Sequence, residues 1–328
     1  MIIAVLAFLM TGAAKSDVQT HGVAECTSPG TASPATSHLI IENRHGVDDL
    51  DYLRVEGRNG RFLHVYYDDA SEREARGYAR CLGLQVDLIA EAVGDTRMHV
   101  QWSSVAFVAD DQYIPPRGEE TTVRWVVHTS ASEAATYSTE MEQMVLLTLP
   151  HEQAHAYQAR GRTSLPLWFS EGHASWIERK ISEKIAPEIA LQARRRMVED
   201  AADAPPANLA DWGHRKVKRE AIMRQVSEED RARMEADLAY IPKGTYRFAL
   251  DDFESDESNS AARYLKARLV FEGLEQRHGA QAVHRWVDEI LSRTQATTFE
   301  TLTVTVAAHF GEDLTTLLSD EAAIYARQ

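Results

Sequence analysis

HEQAH, running from His151 to His155, is the stretch on which the reading of this chain turns. An α-helix turns once in about 3.6 residues, so positions four apart share a face. His151 and His155 therefore stand side by side, one turn apart, and two neutral imidazoles at that spacing can share one zinc ion. Glu152 follows the first histidine, where its carboxylate can reach a metal-bound water. A metal lowers the pKa of that water toward about 7, and the carboxylate takes the proton as the water attacks a carbonyl. A chain with 13 histidines among 328 residues can also produce the pattern by chance, so five residues alone leave both readings open.

Two histidines make an incomplete site, because a catalytic zinc takes three protein ligands and keeps one position for water. Glu171, at 171 − 155 = 16 positions beyond His155, is the expected third ligand. The intervening turn is long enough for two helices to face each other, and Gly172 beside it permits close backbone approach. A first-turn acid favoured by the helix dipole is the structural alternative, but it leaves the surrounding LWFSEGHASWIE (residues 167–178) unexplained.

HEQAH followed by LWFSEGHASWIE resembles the gluzincin metallopeptidases, the peptidase MA-like group. The second stretch is similar to the aminopeptidase N-type helix, W-L-N-E-G-F-A-S-Y-V-E, with matches at Trp168, Glu171, Gly172, Ala174, Ser175 and Glu178. The resemblance implies zinc ligands at His151, His155 and Glu171, with Glu152 as general base. It is strong over about thirty residues. A weaker likeness to the tail of small bacterial peptidase MA-like proteins runs through YLKARLVFEGLEQRHG (264–279) and FETLTVTVAAHFGEDL (299–314). The departures are informative. The G-x-M-E-N stretch that holds a substrate's free amine is absent, so specificity for N-termini is not supported. The spacing to the third ligand is short, and Pro150 replaces a residue that is usually small and helix-compatible.

Gluzincins place a Tyr or His opposite the base to steady the developing oxyanion. Tyr264 is the candidate here, because it opens the helix that resembles the family's; a core tyrosine is the alternative. Ser175 and Glu178 lie on later turns of the Glu171 helix, where they either hydrogen-bond the ligands or form a solvated face. His173 reads as a supporting or surface group. His128, His214, His278 and His309 have no ligand spacing and read as structural.

Around this centre the chain divides. Residues 1–15 (MIIAVLAFLMTGAAK) read as a signal peptide, too short for a comfortable membrane span, although no Lys or Arg precedes the apolar run. Residues 16–37 are rich in Ser, Thr, Gly and Pro and read as a linker. Residues 38–328 are expected, on the resemblance, to form one peptidase MA-like domain, with an α/β lobe at 38–137 and a mainly helical lobe at 138–328. Asn59-Gly60 between two extended runs predicts a hairpin. Ala75, Tyr78, Leu82, Val86, Ile89 and Val93 predict a helix capped by Gly94. MHVQWSSVAFVADD and TTVRWVVHTS read as strands. The motif helix is expected to begin near Ser138 or Thr139 and to kink or restart at Pro150. The Glu171 helix is expected from about Ser170 as N-cap. After Met197 come an irregular insertion, a charged helix and an acidic loop, then helices from about Ala261, broken at Gly279 and Gly311. Cys26 and Cys81 could form one disulfide in an exported protein.

The expectation is an α+β, zincin-like fold in which a β-rich N-terminal lobe lies over the HEQAH helix and a helical C-terminal lobe closes the cleft. The function expected is that of an exported (periplasmic or extracellular) zinc metallopeptidase acting on a peptide or protein. A catalytically inactive or zinc-stabilised binding protein, or a zinc hydrolase with a non-peptide substrate, stands as the alternative. The net charge of −15 argues against a nucleic-acid partner, which needs a basic face.

Overall fold

The computed structural model describes residues 39–43, 50–57, 60–95, 101–109, 124–128, 141–161, 163–202, 209–210, 212, 217–238, 240–244, 246–247 and 260–318. The expected signal peptide, the linker, Cys26, Asn59, His214, the start of the motif helix near Ser138 and the acidic loop before Ser260 lie outside them. Cys81 is disulfide-bonded, and Cys26 is the only other cysteine in the sequence.

The fold is α+β, as the order of strand and helix patterns predicts. Strands β1 (Leu39–Asn43), β2 (Asp51–Glu56) and β3 (Phe62–Tyr67) pair antiparallel in sequence. Glu56 pairs with Phe62 across the tight connection, and Gly60 there has φ of 68°, a left-handed conformation that glycine adopts without steric penalty. β4 (Gln101–Val108) and β5 (Arg124–His128) then add parallel to β3, giving a mixed sheet in the order β1-β2-β3-β4-β5. A parallel pair needs a crossover, and helix α1 (Glu72–Ala92) supplies it between β3 and β4. Its buried stripe of Ala75, Tyr78, Leu82, Val86 and Ile89 is the predicted one. The helix ends as expected: Gly94 has φ of 67°, its N–H reaches the Glu91 carbonyl at 3.2 Å, and that of Asp95 reaches Ala90 at 2.8 Å, the paired bonds of a glycine-terminated helix.

Period-two alternation decides which sheet face the helices cover. Leu53, Val55, Leu63 and Val65 point to the helical side and join one core with α1 and the later helices. Tyr66, Ala106 and Val108 point the other way, with Leu50, into a small separate cluster. The β-rich and helical parts therefore share a single interior.

Pro150 shapes the element that carries HEQAH. A π-turn at Met144–Thr148 precedes α2 (Leu149–Gln158), and the Leu149 N–H bonds back to the Met144 carbonyl. Proline has no N–H, so position 150 can donate to neither the Val145 nor the Leu146 carbonyl. Side chains from neighbouring helices donate instead: Gln85 Nε2 donates to the Val145 oxygen at 2.7 Å, and Ser182 Oγ to that of Leu146 at 2.8 Å. The expected restart at Pro150 is present, with the proline in the first turn.

The next helix departs from expectation. α3 spans Leu167–Ile185, with Pro166 rather than Ser170 at its N-terminal boundary. The Phe169 and Ser170 N–H groups both reach the Pro166 carbonyl, and Ser170 lies inside the first turn. α4 (Pro187–Ala202), α5 (Arg219–Met223) and α6 (Glu228–Ala236) follow. The C-terminal part is α7 (Ser260–His278), α8 (Ala280–Ser292) and α9 (Phe299–Phe310). The breaks at Gly279 and Gly311 fall where predicted, and a further one at 293–298 was not expected. α3 packs directly on α7. Phe169 meets Phe271 and Trp286 with ring centroids 5.4 and 5.1 Å apart, edge to face, each such pair contributing about 0.5–1.5 kcal/mol beyond area burial. Among the described residues, no helix is long and apolar enough to cross a membrane.

Candidate metal centre

α2 and α3 bring the three predicted ligand residues to one point. His151 Nε2 lies 3.1 Å from His155 Nε2 and 3.1 Å from Glu171 Oε2, and His155 Nε2 lies 3.3 Å from the same carboxylate oxygen. The two imidazoles come from successive turns of α2, and Glu171 opens the second turn of α3. His151 is buried, and His155 and Glu171 are nearly so. These three residues could hold a metal ion, and they form the only such group found among the described residues. Two nitrogen donors and one carboxylate suit a divalent transition metal rather than a hard, all-oxygen ion such as calcium.

A second ring of polar groups surrounds them. Glu178 Oε2 lies 3.3 Å from His151 Nδ1, and Ser175 Oγ lies 3.5 Å from it. Both are placed by helical spacing from Glu171, and both back the ligand face rather than lining a solvated one. Gln158, which sequence reasoning missed, has its Oε1 2.9 Å from His155 Nδ1. It stands three residues after His155, a spacing that puts it on the same helix face; this was the available signal. His173 is fully buried, 3.0 Å from Gln158 Nε2 through its Nδ1, so it supports the centre rather than the surface. His278 and His309 pair with Glu312 and Glu289 away from it; the side chain of His128 lies outside the described residues.

Tyr264 reaches the centre from α7. Its ring centroid is 6.0 Å from that of His151, and its hydroxyl hydrogen-bonds to Glu171. Trp212, from the insertion after α4, packs edge-on against Tyr264 at 5.0 Å. The tyrosine is thus held between α2 and the insertion. Sequence reasoning missed Trp212, because no local pattern ties it to α7.

The electrostatics follow from three carboxylates and three imidazoles in a confined volume. Burial alone would lower the pKa of His151, but the hydrogen bonds its ring donates to Glu171 and Glu178 outweigh it and push the imidazole well above 6.5. Burial works against the Glu171 charge, and the two histidines overcome that and hold its pKa well below the usual carboxylate range. Glu152 moves the other way. Burial raises its pKa, opposed by His151 and His155 and reinforced by the charges of Glu171 and Glu178. Burial, then the charge and hydrogen bond of Glu171, push the Tyr264 phenol up, so it stays protonated. Burial takes His173 down to about 3 and keeps it neutral.

No protein-family model matches this chain, and no curated protein matches it.

Proposed function

We propose that this protein is an exported zinc-dependent peptidase of zincin-like, gluzincin type, with His151, His155 and Glu171 as the metal ligands and Glu152 as the general base. The observation that carries this reading is the triangle of donor atoms, with sides of 3.1, 3.1 and 3.3 Å. Ligands about 2.05 Å from a shared tetrahedral zinc lie about 3.3 Å apart, so these side chains fit the ion with little movement. When bound, zinc supplies Lewis-acid polarisation of a substrate carbonyl and acidifies water.

The chain's own groups then have distinct tasks. Glu152 accepts a proton from the attacking water on its carboxylate and delivers it to the departing amine nitrogen. Its raised pKa brings it closer to the working pH, which improves both transfers. Tyr264, protonated and aimed into the site from α7, donates its phenolic hydrogen to the oxygen that gains charge. Glu178 accepts from His151 Nδ1 and keeps the opposite nitrogen directed at the metal. The apolar start of the sequence and the oxidised Cys81 support export, because disulfides persist in oxidising compartments.

The test uses the purified full-length protein. Native zinc content is measured by elemental analysis, and cleavage is followed on a broad peptide panel before chelation, after it and after zinc is restored. One zinc per chain is expected, with cleavage that chelation abolishes and zinc recovers. Tyr264→Phe should keep its zinc and lose turnover. A zinc-loaded protein that cleaves no peptide would overturn the peptidase reading in favour of a binding protein or a hydrolase of another substrate class.

A further inference from the structure

Gln158 has a hydrogen-bonding pattern that leaves its amide one orientation. The side chain is buried at the end of α2, one turn beyond His155. Its Nε2 lies 2.8 Å from the main-chain carbonyl oxygen of Ser170 and 3.0 Å from His173 Nδ1. Its Oε1 lies 2.7 Å from Ser170 Oγ and 2.9 Å from His155 Nδ1. A carbonyl oxygen can only accept, so the group facing it must be the NH₂. Turning the amide over would set two carbonyl oxygens against each other with no hydrogen between them. The orientation is therefore dictated by the Ser170 main chain and does not depend on how oxygen and nitrogen are told apart.

The histidines follow from the amide. Facing an oxygen that can only accept, His155 Nδ1 must carry the hydrogen, which leaves Nε2 of the neutral ring bare. That nitrogen is the one directed at His151 and Glu171. Facing an NH₂, His173 Nδ1 must accept, so its hydrogen is on Nε2. Gln158 also grips Ser170 through both its carbonyl and its hydroxyl, and Ser170 precedes Glu171. One side chain thus sets the ring state of a ligand on α2 and the approach of the ligand on α3.

We infer that Gln158 is a positioning residue that fixes His155 as the Nδ1–H tautomer and ties the helix bearing His155 to the helix bearing Glu171, so that both present lone pairs to one metal ion. This rests on the metal-centre reading above. It asks nothing of substrate and holds whether or not the protein cleaves peptides.

The test has two readouts. Nitrogen-15 NMR of the histidine side chains in the full-length protein should show opposite neutral tautomers, Nδ1–H for His155 and Nε2–H for His173. Competition with a chromophoric chelator should show zinc binding weakened about 10- to 100-fold in Gln158→Leu, the range for losing a group that orients a ligand. Gln158→Glu should keep the His155 tautomer, because a carboxylate oxygen still accepts from His155 Nδ1 and from Ser170 Oγ, but its second oxygen cannot donate to the Ser170 carbonyl, so its zinc affinity should fall between native and Gln158→Leu. Native zinc affinity in a folded Gln158→Leu, or an Nε2–H signal for His155 in the native protein, would overturn the inference. If Gln158→Leu does not fold, Gln158→Glu decides: it should retain the His155 tautomer, and losing it counts against. A native protein that binds no zinc sinks the metal reading, while the tautomer pair still tests Gln158. One that binds zinc and cleaves nothing sinks only the peptidase reading.

Discussion

Gly172→Ala asks how closely α3 and α7 must approach. A Cβ at position 172 would lie 2.7 Å from the Ala267 carbonyl oxygen, 2.9 Å from its carbon and 3.0 Å from Phe271 Cε2, where ordinary contact begins at 3.4 Å. The deficit against the oxygen is 3.4 − 2.7 = 0.7 Å. The obstacle is backbone, which cannot rotate aside, so the helices must separate. Overpacking of this kind costs about 1–3 kcal/mol, offset by the roughly 1 kcal/mol that alanine gains over glycine within a helix. Gly77 is the control. It is exposed in α1, and an added Cβ meets nothing within 4 Å, so Gly77→Ala should take the gain without the clash. The two variants should therefore differ by about 1–3 kcal/mol in urea unfolding, and by a few degrees in melting temperature, since the shift per kcal/mol is roughly 2–4 °C at 150–250 residues and smaller for a longer chain. The separation also shifts Tyr264, one turn before Ala267 on α7, away from Glu171, so turnover should fall in Gly172→Ala alone. Equal or greater stability in Gly172→Ala than in Gly77→Ala would refute the close-packing argument.

Two further outcomes follow from buried polar groups. Ser182→Ala removes the donor to the Leu146 carbonyl, which should cost about 1–3 kcal/mol in the native background. It should cost clearly less beside Pro150→Ala, whose new N–H can serve that oxygen; equal losses in both backgrounds, measured by urea unfolding, would contradict the account of Pro150. His173 controls an acid sensitivity. Its pKa falls from 6.5 to about 3 on folding because burial disfavours the charge, so below 6.5 the unfolded chain takes up a proton that the folded one refuses. Stability should drop with falling pH by about 1.4 kcal/mol per unit between about pH 6 and pH 4 from this residue. Unfolding curves of His173→Phe should lack that component, and a pH dependence parallel to the native protein's would remove His173 as its source.

The centre was legible where the information is local. The i, i+4 spacing of His151 and His155 and the helical pattern around Glu171 survive any packing arrangement, and the structure brings all three together. Ser175 and Glu178 were assignable to the right face of α3 but not to a partner, since their distance to His151 depends on how α2 and α3 cross. Ser170 misled because a serine before an acid is a good cap in isolation, while Pro166 already starts the helix four residues earlier. The parallel pairing of β4 and β5 was out of reach, because strand direction depends on the crossover and not on the strand's own residues. Trp212 was invisible for a related reason, since it acts through Tyr264 on another element; Gln158 carried the local signal of its i, i+3 spacing from His155, but its tie to Ser170 depends on how α2 and α3 cross.

The most direct measurement is peptide cleavage by Glu152→Gln against the native protein, both zinc-loaded and with metal content determined on the same samples. Glutamine keeps the size of the side chain and cannot act as a base near neutral pH. Glu152 is not among the three donors of the cluster, so zinc and melting behaviour should be unchanged. Turnover should fall by at least the roughly 10²–10⁴-fold that a positioned general base contributes. Cleavage undiminished in a fully zinc-loaded Glu152→Gln would contradict the account.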